Sequence, residues 1–175
     1  MTAQIVIGGG CFWCTEAVFK RLQGVISVLS GYSGGHVENP SYRQVCEKNT
    51  GHIEVIRIEY DPEQISYEDL LEVHFATHDP TTLDRQGADV GPQYASTIFY
   101  ANEDEKQKAQ AAIAKAQADF AQPIVTKLLP AARFWPAEDY HHNYFDTNPN
   151  QPYCAFVISD KVKKFMQQYA DKLKS

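Results

Sequence analysis

Three glycines run into two cysteines three residues apart, in the order Gly8-Gly9-Gly10-Cys11-Phe12-Trp13-Cys14. Glycine lets the chain turn tightly and keeps the approach to the turn open. A short apolar run precedes the glycines and helical spacing follows them, so Cys11 falls at the start of a helix. Unpaired N–H groups and the helix dipole favour a thiolate there. Thiolate is the attacking species, so the placement suits nucleophilic catalysis. A free cysteine is often just a small buried hydrophobe; the glycines and the second thiol weigh against that here. Phe12 and Trp13 alone would read as core, but beside a reactive thiol they can wall an apolar cup for a methyl group. No Lys-Ser or Lys-Thr follows the glycines, which argues against a phosphate loop.

Two other chemistries fit some of these residues. Cys11 and Cys14 alone would suit a general thiol–disulfide oxidoreductase. They also supply half of a zinc site, but no second Cys-x-x-Cys or His-x-His stands elsewhere, so no metal is expected. His74 and His78 share one face of an expected helix, yet Phe75 and Ala76 follow His74, and the glutamate of the zinc-protease motif is missing. His141-His142 reads as a helix-surface pair.

Strands are expected at Gln4–Ile7, Val25–Tyr32, His52–Tyr60, Gln93–Tyr100 and Pro123–Ala132. In the third of these, Glu54 and Arg57 are assigned to the side of the pleat opposite the apolar residues. Helices are expected from Phe12 to Leu22, from Ser66 to Ala76 behind a capping-box-like start, and from Asn102 to Phe120 through an alanine-rich stretch. Ala137–Phe145 and Lys161–Lys174 read as two more. His36–Gly51 and Thr81–Pro92 read as irregular, and long irregular stretches are often functional. The first six elements follow the split β-α-β order of ferredoxin-like domains. The expected fold is therefore α+β: a ferredoxin-like two-layer sandwich with a mixed or antiparallel sheet, helices on one face and extra loops.

The 175 residues suit one domain, a single catalytic unit over 1–175, and 43% apolar content fills its core. A net charge of −6 argues against a nucleic-acid surface. No apolar run approaches the ~20 residues that span a bilayer, and no basic leader opens the chain. A cytoplasmic protein is expected, where four cysteines read as reactive or buried thiols.

Several stretches resemble the peptide methionine sulfoxide reductase A family. They are Gly9-Gly10-Cys11-Phe12-Trp13 with Glu16, Gly31–Gly35, Pro40-Ser-Tyr42, Thr50–Glu54, Asp79-Pro80, Asp89–Tyr94 and Glu138–His141. They run in order from residue 5 to about residue 158. The resemblance implies that Cys11 attacks the sulfoxide sulfur and that Phe12 and Trp13 hold the S-methyl group. It implies Glu54 as the acid that protonates the sulfoxide oxygen, Tyr42 and Tyr94 as hydroxyl donors to that oxygen, and Asp89 as a polar support. It implies the S epimer, free or in proteins, as substrate, and no organic cofactor or metal. Cys11 would become a sulfenic acid, a second thiol would condense with it, and a thioredoxin-type dithiol would close the cycle. Cys154 matches the recycling cysteine of some members. Cys14 stands where many members have glycine, so two thiols compete to resolve the sulfenic acid, with Cys46 a third. Cys154 sits in a segment rich in Asn, Pro and Gln that reads as a mobile loop, so a Cys11–Cys154 disulfide is the expected product ahead of Cys11–Cys14. The chain is expected to act as a monomer.

Overall fold

A computed structural model describes residues 2–148 and 150–174; Pro149, within the segment before Cys154, lies outside them. In chain order the elements are β1 (Ala3–Gly8), α1 (Phe12–Phe19), β2 (Val25–Ser33), α2 (Tyr42–Cys46), β3 (Ile53–Tyr60), α3 (Tyr67–Ala76), β4 (Arg85–Gln86) and β5 (Asp89–Val90). There follow β6 (Thr97–Tyr100), α4 (Glu103–Gln117), β7 (Lys127–Pro130), β8 (Trp135–Pro136), α5 (Tyr144–Thr147) and α6 (Ser159–Gln168). Six strands form one sheet in the order β7-β6-β1-β3-β2-β8, and β4 pairs with β5 as a separate ribbon. Neighbours in the large sheet are antiparallel except β6 and β7, which are parallel. The architecture is α+β with a mixed sheet.

Strand register divides the core. Ile7 pairs with Ile56 and Ile98, and Ile5 with Ile58; these side chains share the face on which the helices build the main core. Each such fully buried side chain is worth about 1.5–3 kcal/mol. Residues one step out of phase, Ile53, Val55 and Phe99, join Ala95 in a smaller cluster that Val6, Leu129 and Phe134 flank. The two-residue period puts Glu54 on the same face as Ile56, Ile58 and Tyr60, and Arg57 on the other, where its guanidinium lies over the Phe134 ring. This corrects the expected side for Glu54: it points into the main core and not away from it.

Helix α1 is buried almost all round, including the polar Thr15 and Glu16, as expected of a helix enclosed by sheet and neighbouring helices. Ser66 caps α3 through the Asp69 N–H, and Asn102 caps α4 through the Glu105 N–H. Several expectations change: the 81–92 stretch read as irregular holds the β4–β5 ribbon, and the helix expected over 161–174 spans Ser159–Gln168. The irregular 36–51 stretch holds α2, because Ser41 and Gln44 form a reciprocal capping box. The strand expected from Gln93 starts at Thr97, since Pro92–Tyr94 form a 3₁₀ turn. The strand expected over 123–132 contracts to Lys127–Pro130. The helix expected over 137–145 is split by Asn143, held in the left-handed region at φ 60°, into a 3₁₀ turn at Asp139–His141 and α5.

Candidate active site

The glycine turn works as its composition requires. Gly10 has φ +93°, a conformation that L side chains rarely adopt. The turn delivers Cys11 to the N-cap of α1, where its carbonyl accepts from the N–H of Cys14 at 3.0 Å. Cys11 does not cap the helix with its own side chain. Glu54 supplies the missing acceptor from β3, its Oε1 taking the Phe12 N–H at 3.2 Å. The second carboxyl oxygen, Oε2, is buried without a hydrogen-bond partner among the described residues.

Burial governs the proton inventory here. Glu54 is 1% exposed, and desolvation pushes its pKa up to about 8 against the pull of the Phe12 N–H. Desolvation also pushes the Cys11 thiol well above its ordinary value, and the Glu54 charge adds to this while the Trp13 N–H opposes it. Burial thus favours the protonated form of both groups near neutral pH. Burial opposes the thiolate that the helix N-terminus favours, and the Trp13 N–H acts in the helix terminus's direction.

Two phenols join them. Tyr42, on α2, is held far above its usual pKa by burial first and by Glu54, Cys46 and Cys11 after it. Tyr94, ending its 3₁₀ turn, is raised by burial and then by Glu54, Cys11 and Asp89. Both stay neutral hydroxyls and share the surroundings of Cys11 and Glu54. Asp89, on β5, accepts the Tyr153 hydroxyl at 2.6 Å.

Aromatic stacking builds the wall. Trp13 lies face to face with Tyr144 at 3.9 Å between ring centroids, and its indole N–H donates to His141 Nδ1 at 3.0 Å. Trp13 is half-buried, whereas Phe12 is wholly inside, against Tyr32, Tyr42 and His141. Trp13 thus offers a surface and Phe12 backs it.

The fold brings Cys11, Phe12, Trp13, Tyr42, Glu54 and Tyr94 together, with Asp89 one hydrogen bond behind, through Tyr153. Cys14 follows within the first turn of α1, its Sγ 3.9 Å from the Tyr153 hydroxyl. Burial lifts the Cys14 thiol to about 11, with Cys154 among the groups whose charge adds to this. Cys154 is 0% exposed and opens a π-helical turn, Cys154–Ile158, that runs straight into α6. It does not sit in an open loop as its Asn- and Pro-rich approach suggested. All four cysteines are free.

Sequence reasoning missed three contributors. Tyr153 was overshadowed by its neighbour Cys154. His141 was assigned to a helix surface, but it is 1% exposed and neutral, its pKa held down near 4 by burial. Glu138 accepts from the Tyr32 hydroxyl and the Tyr42 N–H, and so anchors α2. The Glu138–His141 motif was the available signal. His74 and His78 do not converge with the cysteines as zinc ligands; His74 bonds the Gly8 carbonyl, and His78 bonds the His74 carbonyl and the Ser96 hydroxyl.

A buried thiol, a buried acid with a raised pKa and two neutral phenols in shared surroundings suit a class of enzyme that attacks an electrophilic atom while protonating an oxygen. A family model described as peptide methionine sulfoxide reductase matches residues 3–174. A peptide methionine sulfoxide reductase MsrA of Saccharolobus solfataricus is 54% identical over 168 residues, 96% of this chain and 95% of its own. One from Chromobacterium violaceum is 53% identical over 174 residues, 98% and 99% of the two chains. Reduced Mxr1 of Saccharomyces cerevisiae superposes with a TM-score of 0.80 at 30% identity, covering 86% of this chain and 87% of its own. The chain belongs to the peptide methionine sulfoxide reductase family. No helix among the described residues is long and apolar enough to cross a membrane.

Proposed function

We propose that this chain reduces the S epimer of methionine sulfoxide, free or in proteins, with Cys11 as nucleophile and Glu54 as acid. The observation that carries the assignment is Glu54: a carboxyl with a pKa of about 8, one oxygen bonded to the helix that bears Cys11 and the other without a partner. A sulfoxide oxygen leaves poorly unless protonated, and a carboxyl kept neutral by burial can donate to it. Cys11 loses its proton to solvent, its thiolate attacks sulfur, the substrate's S–O bond breaks, and a Cys11 S–O bond forms. The Glu54 proton moves to that oxygen, giving methionine, a Cys11 sulfenic acid and a Glu54 carboxylate. Tyr42 and Tyr94 donate hydrogen bonds to the polarised oxygen, and Trp13, backed by Phe12, receives the S-methyl. Asp89 supports the site through Tyr153.

A second thiol then condenses with the sulfenic acid and releases water. Cys154 is the thiol that finally carries the disulfide. Cys14 stands one turn from Cys11 and within the field of Cys154, which supports a relay as well as the direct Cys11–Cys154 bond. The disulfide is reopened by a dithiol of the thioredoxin type; Mxr1 has been solved in complex with Trx2. The strand order β6-β1-β3-β2 supports a ferredoxin-like core inside the larger sheet. One catalytic domain acting as a monomer suffices, since every site residue comes from one chain, and a reducing, cytoplasmic setting suits its thiols. The deciding assay is methionine formation from methionine sulfoxide with dithiothreitol. The chain should turn over and Cys11→Ser should not; turnover by Cys11→Ser near the parent rate overturns the assignment.

A further inference from the structure

The glycine turn that presents Cys11 rests on three buried polar side chains that touch no part of the reacting centre. His74, near the end of α3, bonds the Gly8 carbonyl through Nε2 at 2.8 Å. A Cβ placed on Gly9 would meet the His78 ring at 3.2 Å and His74 Nε2 at 3.3 Å. A Cβ on Gly10 would meet Gln86 at 2.7 Å. Gln86 is itself locked by two bonds to the backbone of Asp79, its Oε1 accepting the Asp79 N–H and its Nε2 donating to the Asp79 carbonyl, both at 2.9 Å. The turn thus lies on two imidazoles and an amide with no gap between.

Partner chemistry settles which nitrogens carry protons. A carbonyl can only accept, so His74 bears its proton on Nε2, facing Gly8, and His78 bears its proton on Nδ1, facing the His74 carbonyl. His78 Nε2 is then an acceptor, filled by the Ser96 hydroxyl at 2.7 Å, and Ser96 in turn accepts from Thr126 at 2.8 Å. The bonds run in one direction from Thr126 to the His74 carbonyl at the end of α3. Burial of both rings keeps them neutral, as this pattern requires.

We infer that His78, with His74 and Gln86, is a positioning residue for the known reaction: the trio clamps the Gly8–Gly10 turn and thereby sets where the Cys11 sulfur stands relative to Glu54. The nucleophile must be placed closely, since a displacement of about 1 Å at a reacting atom can cost roughly a hundredfold in rate. The glycines of the motif are explained from beneath as well as from above, because the imidazoles occupy the space that a side chain at position 9 would need.

The inference rests on Cys11 as nucleophile, and two readouts separate the two ideas. One is the single-turnover rate of methionine formation at saturating sulfoxide. The other is the rate of iodoacetamide alkylation at Cys11, followed by mass spectrometry, which reads the turn whatever the substrate. His78→Ala should slow single turnover roughly ten- to a hundredfold, with KM within about twofold, and change the alkylation rate. His78→Asn, whose amide N–H can still reach the His74 carbonyl, should recover part of the loss. Gly9→Ala should slow the parent chain, and cost less in the His78→Ala background, where the ring it collides with is gone. If His78→Ala unfolds, Ser96→Ala reads the same path by removing the donor to Nε2, and should slow turnover several-fold. A lowered Tm with both rates unchanged, or strictly additive effects of Gly9→Ala and His78→Ala, overturns the inference. Unchanged alkylation and turnover in Ser96→Ala overturns it where His78→Ala does not fold.

Discussion

At Cys11 and Glu54, burial raises both pKa values, while the proposed mechanism asks the thiol to lose its proton and the acid to keep one. Those demands are reconciled if the reactive pair holds a single proton, on Glu54, so the two titrate as a coupled pair. The Glu54 charge is the second cause of the raised Cys11 pKa, after burial. Glu54→Gln should therefore shift the pH profile of Cys11 alkylation to lower pH while slowing methionine formation in a single turnover by roughly 10²–10⁴-fold, the worth of a positioned acid. A profile that stays in place, or an unchanged rate, removes Glu54 from the mechanism. The same residue has a cost in stability. Its folded pKa, about 8, lies above the ordinary 4.5, so the folded chain binds the extra proton between those values, and stability is lost as pH rises through that window. Thermal unfolding should show Glu54→Gln more stable than the parent at about pH 9, with the gap closing toward about pH 4.

Among the elements, α1 and α5 act together. Lys20 and Arg21, just past the end of α1, both pair with Asp146 of α5, at 2.6 and 2.8 Å. These partly exposed pairs add little to global stability, and they join the end of α1 to α5, the helix whose Tyr144 stacks on Trp13. Buried Glu16 of α1 faces the same junction, and the Asn143 and Tyr144 N–H groups offset part of the desolvation that raises its pKa. Trp13→Ala should raise KM for methionine sulfoxide and blunt the preference for methyl over bulkier S-alkyl sulfoxides, through loss of the apolar wall. Asp146→Asn should do the same more weakly, about two- to fivefold in KM, with kcat nearly unchanged. An unchanged KM and side-chain preference in Trp13→Ala would make the indole a packing residue only.

For the whole molecule, the question is how Cys154 reaches the active site. It is buried at the start of the C-terminal helical run, tied in through Tyr153 to Asp89, and belongs with Ile158, Val162 and Phe165 to the main core. The role proposed for Cys154 requires the segment around Tyr153 and Cys154 to open locally, at a free-energy cost below that of global unfolding. Peptide mapping after excess sulfoxide without reductant should find Cys154 in the product disulfide. In Cys154→Ser one methionine should still form per chain, while recycling by reduced thioredoxin fails. Normal recycling by that variant would reassign the role to Cys14. Tyr153→Phe, which loses the bond to Asp89, should speed disulfide formation by a few-fold; a slower step would mean that the bond guides Cys154 and does not restrain it.

Much of this site could be read from residue order alone, because local chemistry is written locally. Three glycines before a helix start demand a tight turn, and Ser66 or Asn102 ahead of acidic residues demands a cap; each depends on a few neighbouring residues. Resemblance then named Glu54, Tyr42, Tyr94 and Asp89, which no spacing could connect to Cys11. Other features needed the folded chain. The face on which Glu54 lies follows from strand register, which pairs Ile7 with Ile56. The upward shift of the Cys11 thiol follows from how completely the surrounding elements exclude water, desolvation being its largest cause. The burial of Cys154 and of His141 was hidden for the same reason: an Asn- and Pro-rich approach or a His-His pair describes the local chain, while burial is decided by whatever distant segments pack against it.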